Sequence, residues 1–338
     1  MKILYAIQGT GNGHLSRAME IIPALMKRGD VDILLSGIQV DLVCPFPVKY
    51  RLNGLSFIFG KSGGVDFFRT YAKLNSRKVV REIRSLPVES YDLIINDFEP
   101  ISAWAAYRKD LPCIALSNQC VTLNPSVPKP KHRDMIGELV LKYYAPSTAQ
   151  YGFHFARFDE NIYTPIIRKE VRELEVSNKG HYTVYLPAYD DERMIKHLSR
   201  FKATRWEVFS KHNKKMVEAG NVTIFPITGR AFLESMASCT GVLSAAGFAT
   251  AAEALFLKKK LMVIPMKSQY EQHCNAAALK SLGVSVMKSL KKKHYDKMEN
   301  WLLNGKIVDV NYPDVTEEIV EKIIEDHLAK KFTLPVKL

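Results

Sequence analysis

The residues whose types and spacing carry the most chemistry lie in one stretch of the C-terminal half. Gly241-Val-Leu-Ser-Ala-Ala-Gly-Phe-Ala-Thr-Ala-Ala-Glu-Ala-Leu255 opens with a short apolar run, Val242 and Leu243, that stops at small residues and Gly247. A helix-compatible segment then starts near Thr250, with Glu253 on its first turn. This pattern predicts a strand, a tight glycine turn and a helix whose first N–H groups are free to hold an anion. A second buried-type strand, Leu261 to Pro265, opens onto Gln269, Glu271, Gln272 and Asn275, whose donors and acceptors suit sugar hydroxyls. Two consecutive strand-to-helix crossings that deliver polar groups to one sheet edge describe a nucleotide site. Glu253 is placed to accept from both ribose hydroxyls. Its plainer role is a favourable interaction with the helix dipole, worth about 0.3–1 kcal/mol.

A second cluster sits near the N-terminus. Gly9-Thr-Gly-Asn-Gly-His14 follows the first expected strand and precedes the first expected helix. Gly11, Asn12 and Gly13 let the chain turn sharply and let a phosphate or an acceptor approach the backbone. The dinucleotide fingerprint G-x-G-x-x-G does not fit, because the third glycine comes one position early and no acid ends the second strand. His14, at the mouth of a helix, can act as a general base near neutral pH. Asp97 and Glu99 follow the apolar run Leu93–Ile95, so both reach the same sheet edge and can orient His14 or hold acceptor hydroxyls. Asp97 capping the helix after Pro100 is the competing role. No third ligand stands nearby to complete a divalent metal site, so neither a metal nor another cofactor is expected.

These residues need a scaffold, and the pattern supplies one. Strands are expected at Ile3–Ile7, Val31–Ser36, Ser56–Phe59, Leu93–Ile95, Cys113–Leu116 and Gly152–Phe155, with a helix over Leu15–Lys27. A charged connector, Pro165–Gly180, leads to a second series at Tyr182–Leu186, Trp206–Phe209, Val222–Phe225, Gly241–Leu243, Leu261–Ile264 and Val284–Met287. Alternation of this kind predicts an α/β protein with two doubly wound parallel-sheet domains. The expected division is 1–166 for the first domain, 167–314 for the second, and 315–338 for a C-terminal helix and tail that closes the second domain or crosses back to the first.

The 338 residues are too many for one comfortable core. Lys and Arg total 48 against 35 acids, a formal charge of +13 that predicts attraction to a polyanion. No aromatic-basic recognition module accompanies it, which argues against nucleic acid. The segment Phe67 to Leu86 places Arg69, Lys73, Arg77, Arg81 and Arg84 four, four, four and three residues apart, a cationic stripe suited to anionic lipid. Five scattered cysteines without a CxxC pair predict packed, reduced thiols and a cytosolic compartment. The apolar run at Met1–Ile7 is too short for a signal peptide, and no segment reaches the roughly 18–20 apolar residues of a membrane helix.

Taken together, these motifs resemble the GT-B glycosyltransferases, within the branch of the peptidoglycan N-acetylglucosaminyltransferase and related UDP-sugar enzymes. That branch pairs a Gly-rich loop ending in His with a donor motif that here reads Ser244, Gly247, Thr250, Glu253, Ala254, Pro265, Glu271, Gln272, Asn275 and Ala276. The resemblance implies two Rossmann-like domains facing across a cleft. It implies a nucleotide-sugar donor and a hydroxyl acceptor, and the cationic stripe adds the expectation of a lipid-linked or phosphorylated acceptor at the inner face of a membrane. His14 would be the acceptor base, assisted by Asp97. The stretch from Gly247 through Phe248 and Ala249 to Thr250 would receive the diphosphate, Glu253 the ribose, Glu271 and Gln272 the donor sugar, and Phe225 would lie near the base. Such enzymes generally use helix-end N–H groups rather than a metal. Three departures stand out: Lys258-Lys-Lys260 replaces Gly-x-Pro, Pro187-Ala-Tyr-Asp-Asp-Glu192 is acidic, and Phe248 is bulky. The alternatives are a UDP-N-acetylglucosamine 2-epimerase-like enzyme, which would need further cleft carboxylates, and a non-catalytic nucleotide-sugar or polyanion binding protein.

Overall fold

The computed structural model describes residues 1–10, 12–39, 44–54, 76–330 and 332. The expected strand at 56–59, Gly11, and the first part of the basic helix, 67–75, lie outside these residues. The first sheet comprises β1 (Lys2–Thr10), β2 (Asp30–Gln39), β3 (Val48–Leu52), β4 (Leu93–Asp97), β5 (Ile114–Ser117), β6 (Ala149–Phe153) and β7 (Ile162–Tyr163). Their order is β3-β2-β1-β4-β5-β6-β7, and every pairing is parallel. The second sheet comprises β8 (His181–Tyr185), β9 (Arg205–Ser210), β10 (Val217–Ala219), β11 (Val222–Pro226), β12 (Gly241–Ser244), β13 (Lys260–Val263) and β14 (Ser285–Val286). Its order is β10-β11-β9-β8-β12-β13-β14, parallel except where the short edge strand β10 runs against β11.

Central strands such as β1 and β12 are buried along nearly their whole length, so they read as continuous apolar runs. Strand β3, by contrast, alternates half-buried Val48, Tyr50 and Leu52 with exposed Lys49 and Arg51. It has no apolar run, and the reading of the sequence passed over it as it did β7 and β10.

The α-helices of the described residues are α1 (Asn12–Met26), α2 (Ser76–Ser85), α3 (Pro100–Arg108), α4 (Asn118–Val121), α5 (Met135–Tyr143), α6 (Lys169–Arg172), α7 (Asp191–Leu198), α8 (Gly229–Ser238), α9 (Phe248–Phe256), α10 (Tyr270–Ser281), α11 (Tyr295–Asn304) and α12 (Thr316–Leu328). On α2 the apolar Val79 and Ile83 face the core while Arg77, Arg81 and Arg84 are exposed. Helix α12 lies against α1 of the first domain, with Lys27–Glu317 and Arg28–Glu321 ion pairs and a Tyr151 hydroxyl donating to Asp326 at 2.5 Å. Chain order reverses between β1 and β4 in one sheet and between β8 and β12 in the other, and open α/β sheets form their crevices at such points.

Candidate active site

The first crevice is built by chain ends. Helix α1 starts at Asn12, so His14 belongs to its first turn rather than to a loop before it. Arg17 follows three residues later, on the same face. Both reach Asp97, the last residue of β4: His14 Nδ1 lies 2.8 Å from Oδ1, and the Arg17 guanidinium donates to both carboxylate oxygens at 2.6 and 2.8 Å. A carboxylate cannot donate, so the contact with Asp97 calls for a proton on Nδ1. Asp97 is wholly buried. Burial pushes its carboxyl up, but the Arg17 guanidinium and His14 outweigh burial and hold it below its ordinary range.

Asp97 does not cap the helix after Pro100. Glu99 does, accepting from the Ile101 and Ser102 N–H groups at 2.8 and 2.6 Å. Glu99 is wholly buried, and burial pushes its carboxyl up. It therefore stands behind the site as a cap and is not an acceptor ligand. Between the two acids Phe98 adopts a φ of 56°, a left-handed conformation unusual for an aromatic residue, with its ring 4.8 Å from that of Tyr144. The Asn96 amide holds this turn by donating to the Glu99 carbonyl at 2.6 Å and to Ser102 Oγ at 2.9 Å.

The second domain brings the other wall. Gly247 caps α9 with no side-chain hydrogen bond, leaving the first N–H groups of that helix without an intrahelical partner. A Cβ built on Gly247 would meet nothing within 4 Å, whereas one on Gly13 would come 3.9 Å from the Ala249 Cβ. The N-termini of α1 and α9 thus approach each other across the cleft. Between them opens a cavity of about 530 Å³ lined by Gly13, His14, Arg17, Gly247, Phe248, Ala249, Glu271 and Gln272, and on another side by Phe98, Ile136, Val140 and Leu141.

Several expected residues are placed differently. Helix α9 begins at Phe248, which puts Glu253 on its second turn, where Arg168 Nε donates to Oε1 at 2.7 Å. Thr250, Glu253 and Phe225 are not among the described residues lining the cavity, and the Phe225 ring stacks on Phe209 at 5.5 Å. Asn12 opens α1, and Gly11 lies outside the described residues. Phe248 packs 5.0 Å from the first-domain Phe155, so its bulk fills the seam between domains. Asn275 donates to the Ala246 carbonyl at 3.0 Å and shapes the glycine turn. Gln272 is tied to the loop after β13, accepting from the Met266 N–H at 3.0 Å and donating to Gln269 at 2.6 Å. Lys258, at the departed Gly-x-Pro turn, takes a φ of 53° and pairs with Asp309. The acids after β8 are used locally: Asp190 caps α7, and Asp191 accepts from Ser210 and Asn213.

Asn118 and Gln119 were missed by sequence reasoning, as was Arg17. Asn118 Nδ2 donates to Glu271 Oε1 at 2.9 Å, and Gln119 Nε2 donates to Glu271 Oε2 at 3.2 Å. The signal was present: Ser-Asn-Gln follows the apolar run of β5 just as Asp97 follows that of β4. Tyr270 adds a second bridge, donating to Glu138 of α5 at 2.9 Å. All five cysteines are free, and burial pushes the Cys120 and Cys274 thiols up to about 11, so neither is a thiolate nucleophile.

Comparison with known proteins agrees with this architecture. Among solved structures, Acinetobacter baumannii MurG superposes with a TM-score of 0.60 at 12% identity, covering 96% of this chain and 100% of that one. MnaA of S. aureus in complex with UDP gives 0.64 at 10% identity, covering 100% and 99%. Phytolacca americana UGT2 with UDP-2-fluoro-glucose and pterostilbene gives 0.53 at 14% identity, covering 97% and 92%. These likenesses show the fold, GT-B, with two Rossmann-like domains. No curated protein matches the sequence. The family model described as glycosyl transferase family 1 matches residues 1–304, and the chain, a glycosyltransferase, belongs to that family.

Proposed function

We propose that the protein transfers a sugar from a UDP-sugar to a hydroxyl acceptor with inversion at the anomeric carbon, without a metal. The observation that carries this reading is the His14–Asp97 pair facing, across one cavity, the open N-terminus of α9 beside Glu271 and Gln272. His14 Nε2 takes the acceptor hydroxyl proton. The freed oxygen forms a bond to the anomeric carbon as the bond from that carbon to the diphosphate oxygen breaks. Charge developing on UDP is met by the α9 N–H groups. Asp97 orients the imidazole and stabilises its protonated form. Glu271 and Gln272 hold the sugar hydroxyls, and Glu253 the ribose.

The acceptor side of the cavity is apolar. Helix α5 lines it with Ile136, Val140 and Leu141, and exposes Met135, Ile136 and Leu139 to solvent at 75%, 58% and 54%. Exposed Lys129, Lys131 and Arg133 precede this helix and Lys142 lies near its end. An apolar helix face beside cations suits a lipid-linked acceptor at an anionic membrane surface, and the exposed arginines of α2 add to that charge. Among the described residues no helix is long and apolar enough to cross a membrane, so the contact would be peripheral. Thermal-shift screening of nucleoside diphosphates and UDP-sugars, followed by UDP release with candidate acceptors, tests the reading. A ligand at about 100 times its Kd stabilises by about 2.7 kcal/mol. No stabilisation by any uridine nucleotide would overturn the donor assignment.

A further inference from the structure

Two hydrogen-bonded paths leave Asp97, cross the cleft and meet again at Glu271. One runs from Asp97 to His14 Nδ1 at 2.8 Å, and from His14 Nε2 to Gln119 Nε2 at 3.4 Å. It ends where Gln119 Nε2 donates to Glu271 Oε2 at 3.2 Å. The other runs from Asp97 to Arg17, from Arg17 Nη1 to Asn118 Oδ1 at 3.2 Å, and from Asn118 Nδ2 to Glu271 Oε1 at 2.9 Å. The orientation of each amide is fixed by its neighbours. Turning Gln119 over would set its carbonyl oxygen against the Glu271 carboxylate, a repulsive contact, so its amino group also faces His14 Nε2. Turning Asn118 over would set its amino group against the Arg17 guanidinium.

Held this way, Gln119 is only half used. Its side chain is buried, its amide nitrogen serves both the base and the carboxylate, and its carbonyl oxygen has no partner among the described residues. A buried acceptor without a donor is costly, and it lies in the wall of the cavity that the substrates enter. The nitrogen of His14 that must receive a proton and the carboxylate that must hold the sugar are therefore occupied by the same amide.

We propose that Gln119 is a positioning residue that relays occupancy of Glu271 by the donor sugar to the base nitrogen of His14. The proposal rests on the reading of this cleft as a donor site. When sugar hydroxyls take the carboxylate, Gln119 loses its charge-assisted anchor, which is the stronger of its two bonds. The amide then swings from His14 Nε2 and offers its unpartnered oxygen to an incoming hydroxyl. The base is uncovered when the donor sugar is in place, and UDP alone, which lacks the sugar, leaves it covered.

The test reads the ¹⁵N resonance of His14 Nε2, which responds to whether its lone pair accepts a hydrogen bond. In the wild-type protein a UDP-sugar should move this resonance and UDP should not. In Gln119→Met, which keeps the length of the side chain and removes both polar atoms, the UDP-sugar should no longer move it; Gln119→Ala serves if the Met variant is unstable. A ligand-free arm separates this proposal from the function beneath it. Glu271→Gln should move the resonance in the wild-type background and not in the Gln119→Met background. The relay is overturned if Glu271→Gln leaves the resonance in place, or moves it equally in both backgrounds. Absence of binding by every uridine nucleotide, with the ligand-free coupling intact, would overturn the donor sugar as the trigger and keep the coupling of Glu271 to His14 through Gln119.

Discussion

Arg168 and Glu253 form an ion pair at 2.7 Å that ties the connector leaving the first sheet to helix α9 of the second. Their side chains are 18% and 6% exposed, so the pair is largely shielded from solvent. Burial works against the Arg168 charge, but Glu253 outweighs it and raises the guanidinium further. We expect Glu253→Gln to lower unfolding stability by about 1.5–3 kcal/mol in urea titrations, the usual worth of a hydrogen bond to a charged group. A carboxylate has about four acceptor positions, so the ribose role is compatible with the pair. Isothermal titration should then also show UDP binding about 10- to 150-fold weaker. A destabilised variant with wild-type UDP affinity would remove the ribose from Glu253 and leave it a structural tether.

His14→Ala should reduce turnover about 10²- to 10⁴-fold, with UDP affinity nearly unchanged, because the proposed base acts on the acceptor. Asp97→Asn should also reduce turnover, since an amide can donate to Nδ1 and favour the wrong tautomer. Either variant turning over at a wild-type rate would reduce His14 to a residue of the first helical turn.

Acid stability gives a separate reading of the same pair. The Asp97 carboxyl is held below its ordinary value in the folded protein, so folding favours its charged form. Its contribution is present above the unfolded pKa of about 3.9, and is lost as pH falls below that value through the folded one. Protonating it also leaves the buried Arg17 guanidinium without its main partner. The acid side of a stability-against-pH curve should therefore be flatter in Asp97→Asn than in the wild type. Equal slopes in the two proteins would show that another carboxylate governs acid unfolding.

Gly247 has a φ of −69°, which any residue adopts, and open space before it. Gly247→Ala should leave the melting temperature unchanged or slightly higher, since the substitution mainly narrows the unfolded ensemble. Its methyl group would nevertheless stand where the proposed donor's diphosphate would approach, and UDP binding measured by titration should weaken at least about tenfold, or 1.4 kcal/mol. Unchanged affinity would place the phosphates elsewhere along the cleft.

Vesicle co-sedimentation addresses the membrane surface. The wild-type protein should pellet with anionic vesicles at low salt and less at high salt. Replacing Arg77, Arg81 and Arg84 with Glu, or Ile136 and Leu139 with Ser, should each reduce the bound fraction. Wild-type protein left in the supernatant at low salt would favour a soluble acceptor.

The scaffold was legible because parallel strands announce themselves as apolar runs, and the residues at their ends share one edge. That logic set His14 at the edge of the first sheet and Gly247 and Glu271 at the edge of the second; that the two edges face each other followed from the resemblance, and all three line one cavity. It left the roles of the two acids after β4 open, because spacing alone cannot tell which of them turns back to cap a helix. Glu99 does, since the left-handed turn at Phe98 swings it over Ile101 and Ser102. Contacts between domains were out of reach. Asn118 with Glu271 and Arg168 with Glu253 are separated by 153 and 85 positions, and nothing local in the sequence marks them as partners. Strand β3 was lost for a different reason, since an edge strand that alternates cations with half-buried residues looks like a surface loop.

Because helix α12 returns to lie on α1, the polypeptide passes between the halves of the molecule twice, once through the connector around Arg168 and once ahead of Thr316. A body joined to another by one thread can twist about it in any direction. Joined by two, it is confined to swinging about the line through both, like a door on a pair of pins. Any swing of one half on the other would then change the gap between the α1 and α9 N-termini more readily than their register.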